Sequence, residues 1–137
     1  MKDQKQTTVA YCGTQGSFSQ IATSKLFPEG KLLPCSSFQE AYDLVVKGVA
    51  DQALLPIENS YAGEVAATVD LLYRGGLQVR DLYEMKIEQN LVGVKGAKLE
   101  DVTTVISHPQ ALAQCAEYIA AHKFSEVVSE KIGRAHV

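Results

Sequence analysis

Three short polar stretches carry the groups that could do chemistry: Glu58, Asn59 and Ser60 in LLPIENSYAGEV, Thr14, Gly16 and Ser17 in GTQGSFS, and Ser107, His108, Gln110 and Gln114 in SHPQALAQ. Each follows an apolar run and leads into a stretch with helical periodicity. A carboxylate directly after ALLPI, with no basic neighbour in sequence, is poorly placed for solubility alone. Gln110 and Gln114, four apart at a helix start, lie on one face. Amides and hydroxyls of this kind orient a polar ligand. Helix N-termini add unpaired N–H groups and a partial positive charge, which hold carboxylates without Lys or Arg. The natural ligand is a small anionic metabolite.

The same residues also have purely structural readings. Gly13 and Gly16 can close a tight turn, and Ser17 or Ser19 can cap a helix. Ser107 or His108 can cap another, with Pro109 in its first turn. The G-x-G-x-x-G spacing is absent, as is the Lys-Ser or Lys-Thr of a phosphate loop. No metal-ligand cluster, Ser-His-Asp order or Cys-His pairing stands out, and His108 is the one obvious imidazole near these loops.

The elements that must position these groups alternate. TVAYC (8–12) reads as a strand, SFSQIATSKLF (17–27) as a helix ending before Pro28, and KLLPC (31–35) as a strand at an edge because of Pro34. SFQEAYDLVVKGVA (37–50) opens with Ser37 and Glu40 at capping-box spacing, and Phe38, Ala41, Val45 and Val49 form a helical stripe. QALLPIE (52–58) reads as a strand covered on both faces, and GEVAATVDLLYRG (63–75) as a helix capped by Ser60 or a neighbour and ended by Gly75-Gly76. Residues 77–94 look extended, as a long strand or two. TTVIS, HPQALAQCAEYIAAHK and SEVVSE then give strand, helix and strand. This rhythm predicts an α/β fold with a mainly parallel sheet, and the polar loops fall where α/β sheets bind ligands, beyond the carboxyl ends of the strands.

With 137 residues, 46% hydrophobic, 21% charged and a net charge of -3, the chain has the composition of a soluble globular domain. Lys and Arg are scattered, so no nucleic-acid partner is expected. Cys12, Cys35 and Cys115 are odd in number and far apart, which predicts no disulfide framework and a reducing compartment. MKDQKQTT contains no apolar signal core and no run approaches a membrane span, so a cytoplasmic location without membrane association is expected.

The strings VAYCGTQGSFS, LLPIENSYAGEV, DLL and VISHPQALAQC, in this order, resemble the prephenate dehydratase family, including its arogenate-using members. The resemblance implies a two-lobed α/β catalytic domain similar to type II periplasmic binding proteins, with its site in the cleft between lobes. It implies decarboxylating dehydration of prephenate to phenylpyruvate in phenylalanine biosynthesis, without a cofactor or metal, by a homo-oligomeric parent enzyme. Glu58, Asn59 and Gln114 are then the catalytic candidates. Asn59 and Gln114 bind or orient substrate, while Glu58 acts electrostatically or holds its neighbours. Thr14, Gly16, Ser17, Ser60, Ser107, His108 and Gln110 line or brace the same loops.

The family's Thr-Arg-Phe motif, whose Thr is the leading candidate for general acid, is absent, as is the phenylalanine-sensing ACT domain. The expected organisation is a first lobe over 7–76, an incomplete second lobe over 77–131, and a foreign tail, IGRAHV, over 132–137. ATC GGA AGA GCA CAC GTC, a segment of a short-read sequencing adapter, encodes that tail. The chain is thus read as a dehydratase fragment that is inactive by itself. The alternatives are arogenate as substrate, or a non-catalytic small-carboxylate-binding module or pseudoenzyme.

Overall fold

The computed structural model describes residues 5–59 and 63–129, and divides into two compact units, Met1–Lys86 and Ile87–Val137. The first unit is built around β1 (Thr8–Cys12), which lies between β2 (Lys31–Cys35) and β3 (Gln52–Leu54). Both pairings are parallel, with Ala10 opposite Leu33 on one side and Ala53 on the other. Val9, Ala10 and Tyr11 are all buried, so this strand is covered on both faces. Pro34 falls on β2, at an edge of the sheet, where its missing N–H costs no ladder bond.

Helix α1 (Phe18–Leu26) packs on β1 and β2, and α2 (Phe38–Val46) on all three strands. Ala10, Cys35, Ala41 and Ala50 form the centre of the core, with Leu44, Val45, Ala53 and Leu55 packed around them. The small side chains let helix and sheet approach closely. At the other end of the strands, Asp51 Oδ2 accepts from Thr8 N at 2.8 Å while Asp51 N donates to Thr8 O at 2.9 Å, locking β1 to the entry of β3.

Sequence and structure part at several boundaries. Helix α2 stops at Val46 rather than 50 because Gly48 adopts φ +74 and closes a Schellman motif, with Gly48 N on Val45 O and Val49 N on Leu44 O. Val49 is therefore beyond the helix and exposed. Strand β3 ends at Leu54, ahead of Pro56. The chain then forms a two-residue strand, β4 (Glu58–Asn59), antiparallel to β5 (Gly63–Glu64). Helix α3 (Ala66–Tyr73) starts after Val65, whose side chain makes no capping bond, and ends at Gly75 and Gly76, both at positive φ.

Residues 77–94, expected as strand, form no regular element. An isolated strand has no internal hydrogen bonds, and these residues meet no pairing strand among the described residues. Val79, Leu82, Tyr83, Leu91 and Val94 are accordingly exposed.

The second unit pairs β6 (Thr104–Ser107) in parallel with β7 (Ser125–Val128). The helix between them breaks at Cys115 (φ -103, ψ 10) into α4 (Pro109–Gln114) and α5 (Ala116–Ala121). Tyr118, His122 and Phe124 stack beside α5, and Leu112 and Ile119 are its buried anchors. Among the described residues no helix is long and apolar enough to cross a membrane.

Two side-chain ties hold α3 to α2: Tyr42 Oη donates to Gly75 O, and Arg74 Nη1 donates to Gln39 Oε1 at 2.9 Å. The Tyr42→Phe substitution removes the first and leaves its ring packing. It should lower unfolding stability by about 1 kcal/mol, read as a shift of the urea midpoint at unchanged slope. An unchanged midpoint would show that the bond contributes nothing to docking α3.

Candidate functional site

In the first unit, the loop after β1 is shaped by hydrogen bonds that its sequence supplies. Ser17 caps α1, its Oγ accepting from Gln20 N at 3.2 Å, while Ser17 N donates to Thr14 O at 3.1 Å. Gln20 reaches back so that its Oε1 accepts from Gly16 N at 2.6 Å. Gly13 has φ +148, and a Cβ there would sit 2.5 Å from Ser17 Oγ, so only glycine fits this turn. Thr14, Gly16 and Ser17 are thus brought into one turn, with Thr14 and Gly16 exposed.

Glu58 and Asn59 lie on the β4–β5 hairpin, opposite Glu64 and Gly63. They are not at the tip of the sheet strand, as the sequence suggested, but project from a separate ribbon that follows it. Glu58 is exposed and Asn59 half-buried. Ser60 lies outside the described residues.

Beside this loop the chemistry is acidic. Glu40 does not close the expected box on Ser37. Ser37 Oγ accepts from Glu40 N at 3.1 Å, but the Glu40 carboxylate accepts from Ser36 N at 2.6 Å and Ser36 Oγ at 2.7 Å. Those two bonds stabilise the charged form and hold its pKa below the usual carboxylate value. Cys12 and Cys35, paired at the ends of β1 and β2, have thiols pushed up first by burial and then by the Glu40 charge. Both therefore stay protonated at neutral pH, which removes a thiolate nucleophile from this edge.

A cavity of about 450 Å³ opens here, lined by Cys12, Ser37, Phe38, Gln39, Asp70 and Arg74 among others. The sequence marks Cys12, Ser37 and Phe38 only as a thiol, a cap and a core position, and singles out none of Gln39, Asp70 or Arg74. Their signal was weak: Asp70 and Arg74 are one helical turn apart on α3, a spacing shared by many solvated pairs.

In the second unit, Ser107 ends β6 and its carbonyl accepts from Ser129 N at 2.9 Å. His108 is the N-cap of α4, its Nδ1 accepting from Gln110 N at 3.2 Å, with Pro109 in the first turn. His108 acts here as a cap. Gln110 is exposed and Gln114, one turn on, is half-buried at the end of α4. Gln89 Nε2 donates to Gln114 Oε1 at 3.0 Å. Among the described residues no group of three or more His, Cys, Asp or Glu is placed to hold a metal.

Residues 9–135 match the profile of the prephenate dehydratase family. The chain belongs to that family. It is 41% identical over 107 residues to arogenate dehydratase 2 of Petunia hybrida, which covers 78% of this chain and 27% of the relative. Its fold matches prephenate dehydratase from Staphylococcus aureus subsp. aureus Mu50 with a TM-score of 0.74 at 26% identity, covering 94% of this chain and 53% of that one. It also matches GqqA, described as a novel type of quorum-quenching acylase, with a TM-score of 0.73 at 32% identity over 89% of this chain and 45% of that one. The chain therefore spans about a quarter of its curated dehydratase relative and about half of the solved dehydratase.

All three polar stretches lie inside the region matched to the dehydratase family. Within this dehydratase framework the Glu40 clasp has a pH signature. Its folded pKa is depressed, so its contribution is whole above the ordinary value of 4.5 and is lost as pH falls through the lowered one. The Glu40→Gln variant should therefore lose less stability than the wild type on acidification below the ordinary value of 4.5. Parallel stability–pH curves for the two proteins would rule out the clasp.

Proposed function

We propose that this chain is the front part of a dehydratase that converts prephenate to phenylpyruvate, and that Glu58, Asn59 and Gln114 act on that substrate. The observation that carries the reading is the family match across residues 9–135, which spans all three polar stretches in order. The low coverage of the curated relative, 27% of its length, supports the fragment reading.

In the reaction the ring carboxylate leaves as carbon dioxide, and its bonding electrons enter the ring as the ring hydroxyl departs with a proton as water. Aromatisation supplies the driving force. The protein's work is to hold a dianion in a reactive pose and to assist the leaving hydroxyl. Asn59 and Gln114 donate amide hydrogens to substrate oxygens. Glu58 sets the local field and restrains its neighbours. The turn at Thr14, Gly16 and Ser17 and the α4 start at Ser107, His108 and Gln110 contribute hydroxyls and N–H groups, and Ser60 belongs to the same set. Arogenate differs only by an amine in place of the side-chain keto group, and the curated relative named above is an arogenate dehydratase, so it is the competing substrate.

In the enzyme encoded by the complete reading frame, Asn59→Ala and Gln114→Ala should each lower kcat about 100-fold or more with unchanged circular dichroism. Assaying prephenate and arogenate in parallel, by phenylpyruvate and phenylalanine formation, assigns the substrate. Wild-type rates in both variants would sink the site assignment. The 137-residue chain by itself should form no phenylpyruvate. Turnover by the purified chain would contradict the fragment reading.

A further inference from the structure

Gln114 is an amide, and an amide can face an anion in two ways: its NH2 attracts the charge and its carbonyl repels it. Which end is presented depends on what holds the other. Here Gln89 Nε2 donates to Gln114 Oε1 at 3.0 Å. Both residues belong to the second unit, with Gln89 in the irregular stretch before β6 and Gln114 on the last turn of α4. The carbonyl of Gln114 is thereby turned toward Gln89, which leaves its amide hydrogens on the other side of the group.

We propose that Gln89 is a positioning residue of the dehydratase: it sets the orientation of the Gln114 amide so that Gln114 presents a donor to the anionic substrate. The inference rests on the reading of Gln114 as a substrate-binding residue. Gln89 touches no substrate in this account and acts only through Gln114. The same bond ties residues 87–94 to α4, although that stretch forms no regular element. It gives an otherwise exposed loop a defined part in the site.

The polarity of the bond makes the inference testable. A side chain at 89 that can neither donate nor accept lets the Gln114 amide turn freely. A carboxylate at 89 can only accept, and so turns the NH2 of Gln114 toward itself and the carbonyl toward substrate. The experiment measures kcat/KM for prephenate, and thermal midpoints, in the complete enzyme carrying Gln89→Met, Gln89→Glu, Gln114→Met and the two double substitutions.

Gln89→Met should lower kcat/KM a few-fold, because the substrate alone must then orient the amide, and Gln89→Glu should lower it about tenfold or more, the loss of one charge-assisted hydrogen bond. In the Gln114→Met background, Gln89→Met should change kcat/KM no further, because its route of action is gone. Any penalty of Gln89→Glu that persists in that background is the direct repulsion of its charge, and is subtracted. Additive losses, a full-strength effect of Gln89→Met without Gln114, or equal activity of all the Gln89 variants would overturn the proposal. A lowered thermal midpoint that accounts for the loss of activity would do the same by assigning Gln89 a structural role. If Gln114→Met is itself fully active, the reading of Gln114 fails first, and the two failures are told apart.

Discussion

Burial of β1 on both faces is the constraint from which the first unit follows. A strand covered on both sides needs a neighbour on each edge and a helix on at least one face, and the chain supplies β2, β3, α1 and α2 for this purpose. Parallel pairing then forces each connection to run back through a helix. The loops that leave β1 and β2 consequently turn tightly and start a helix, whereas the chain after β3 first forms the β4–β5 hairpin. The turn at Gly13 to Ser17 and the Ser36–Ser37 cap are products of that geometry, and they bring polar groups to one edge of the sheet.

The charges at that edge are settled by local hydrogen bonds rather than by ion pairs. Glu40 is kept ionised by the N–H and hydroxyl of Ser36, and its charge in turn helps keep the Cys12 and Cys35 thiols neutral. Donors from serine, backbone and amide groups suit the proposed reaction, whose own energy comes from aromatisation. Such a site has to hold and orient an anion, and can leave electron movement to the substrate. The Gln89–Gln114 bond is likewise a neutral hydrogen bond that holds one side chain.

Much of this was legible in the sequence because the signals were local. Ser17, Ser37 and His108 cap helices where their positions indicated, Pro34 marks an edge strand, and Gly75-Gly76 ends α3. Gly48 was equally local and was passed over, since the apolar stripe ran through it to Val49. The β4–β5 hairpin was hidden because two-residue strands carry no periodicity, and the apolar run of QALLPIE concealed the end of β3 before Pro56. Residues 77–94 have the composition of strand but lack pairing partners among the described residues, a fact no local pattern encodes. The Gln89–Gln114 bond joins positions 25 apart, beyond the reach of any helical or strand spacing. Family resemblance, carried by the ordered strings, supplied the reaction, which the polar residues alone left open.

The proposed function takes these residues to be the front of a working dehydratase. The most direct measurement is to read the source DNA across codon 131 and onward. The proposed function requires the frame to continue into a Thr-Arg-Phe motif, whose Thr is the family's candidate general acid. A natural stop directly after Val137 would contradict it.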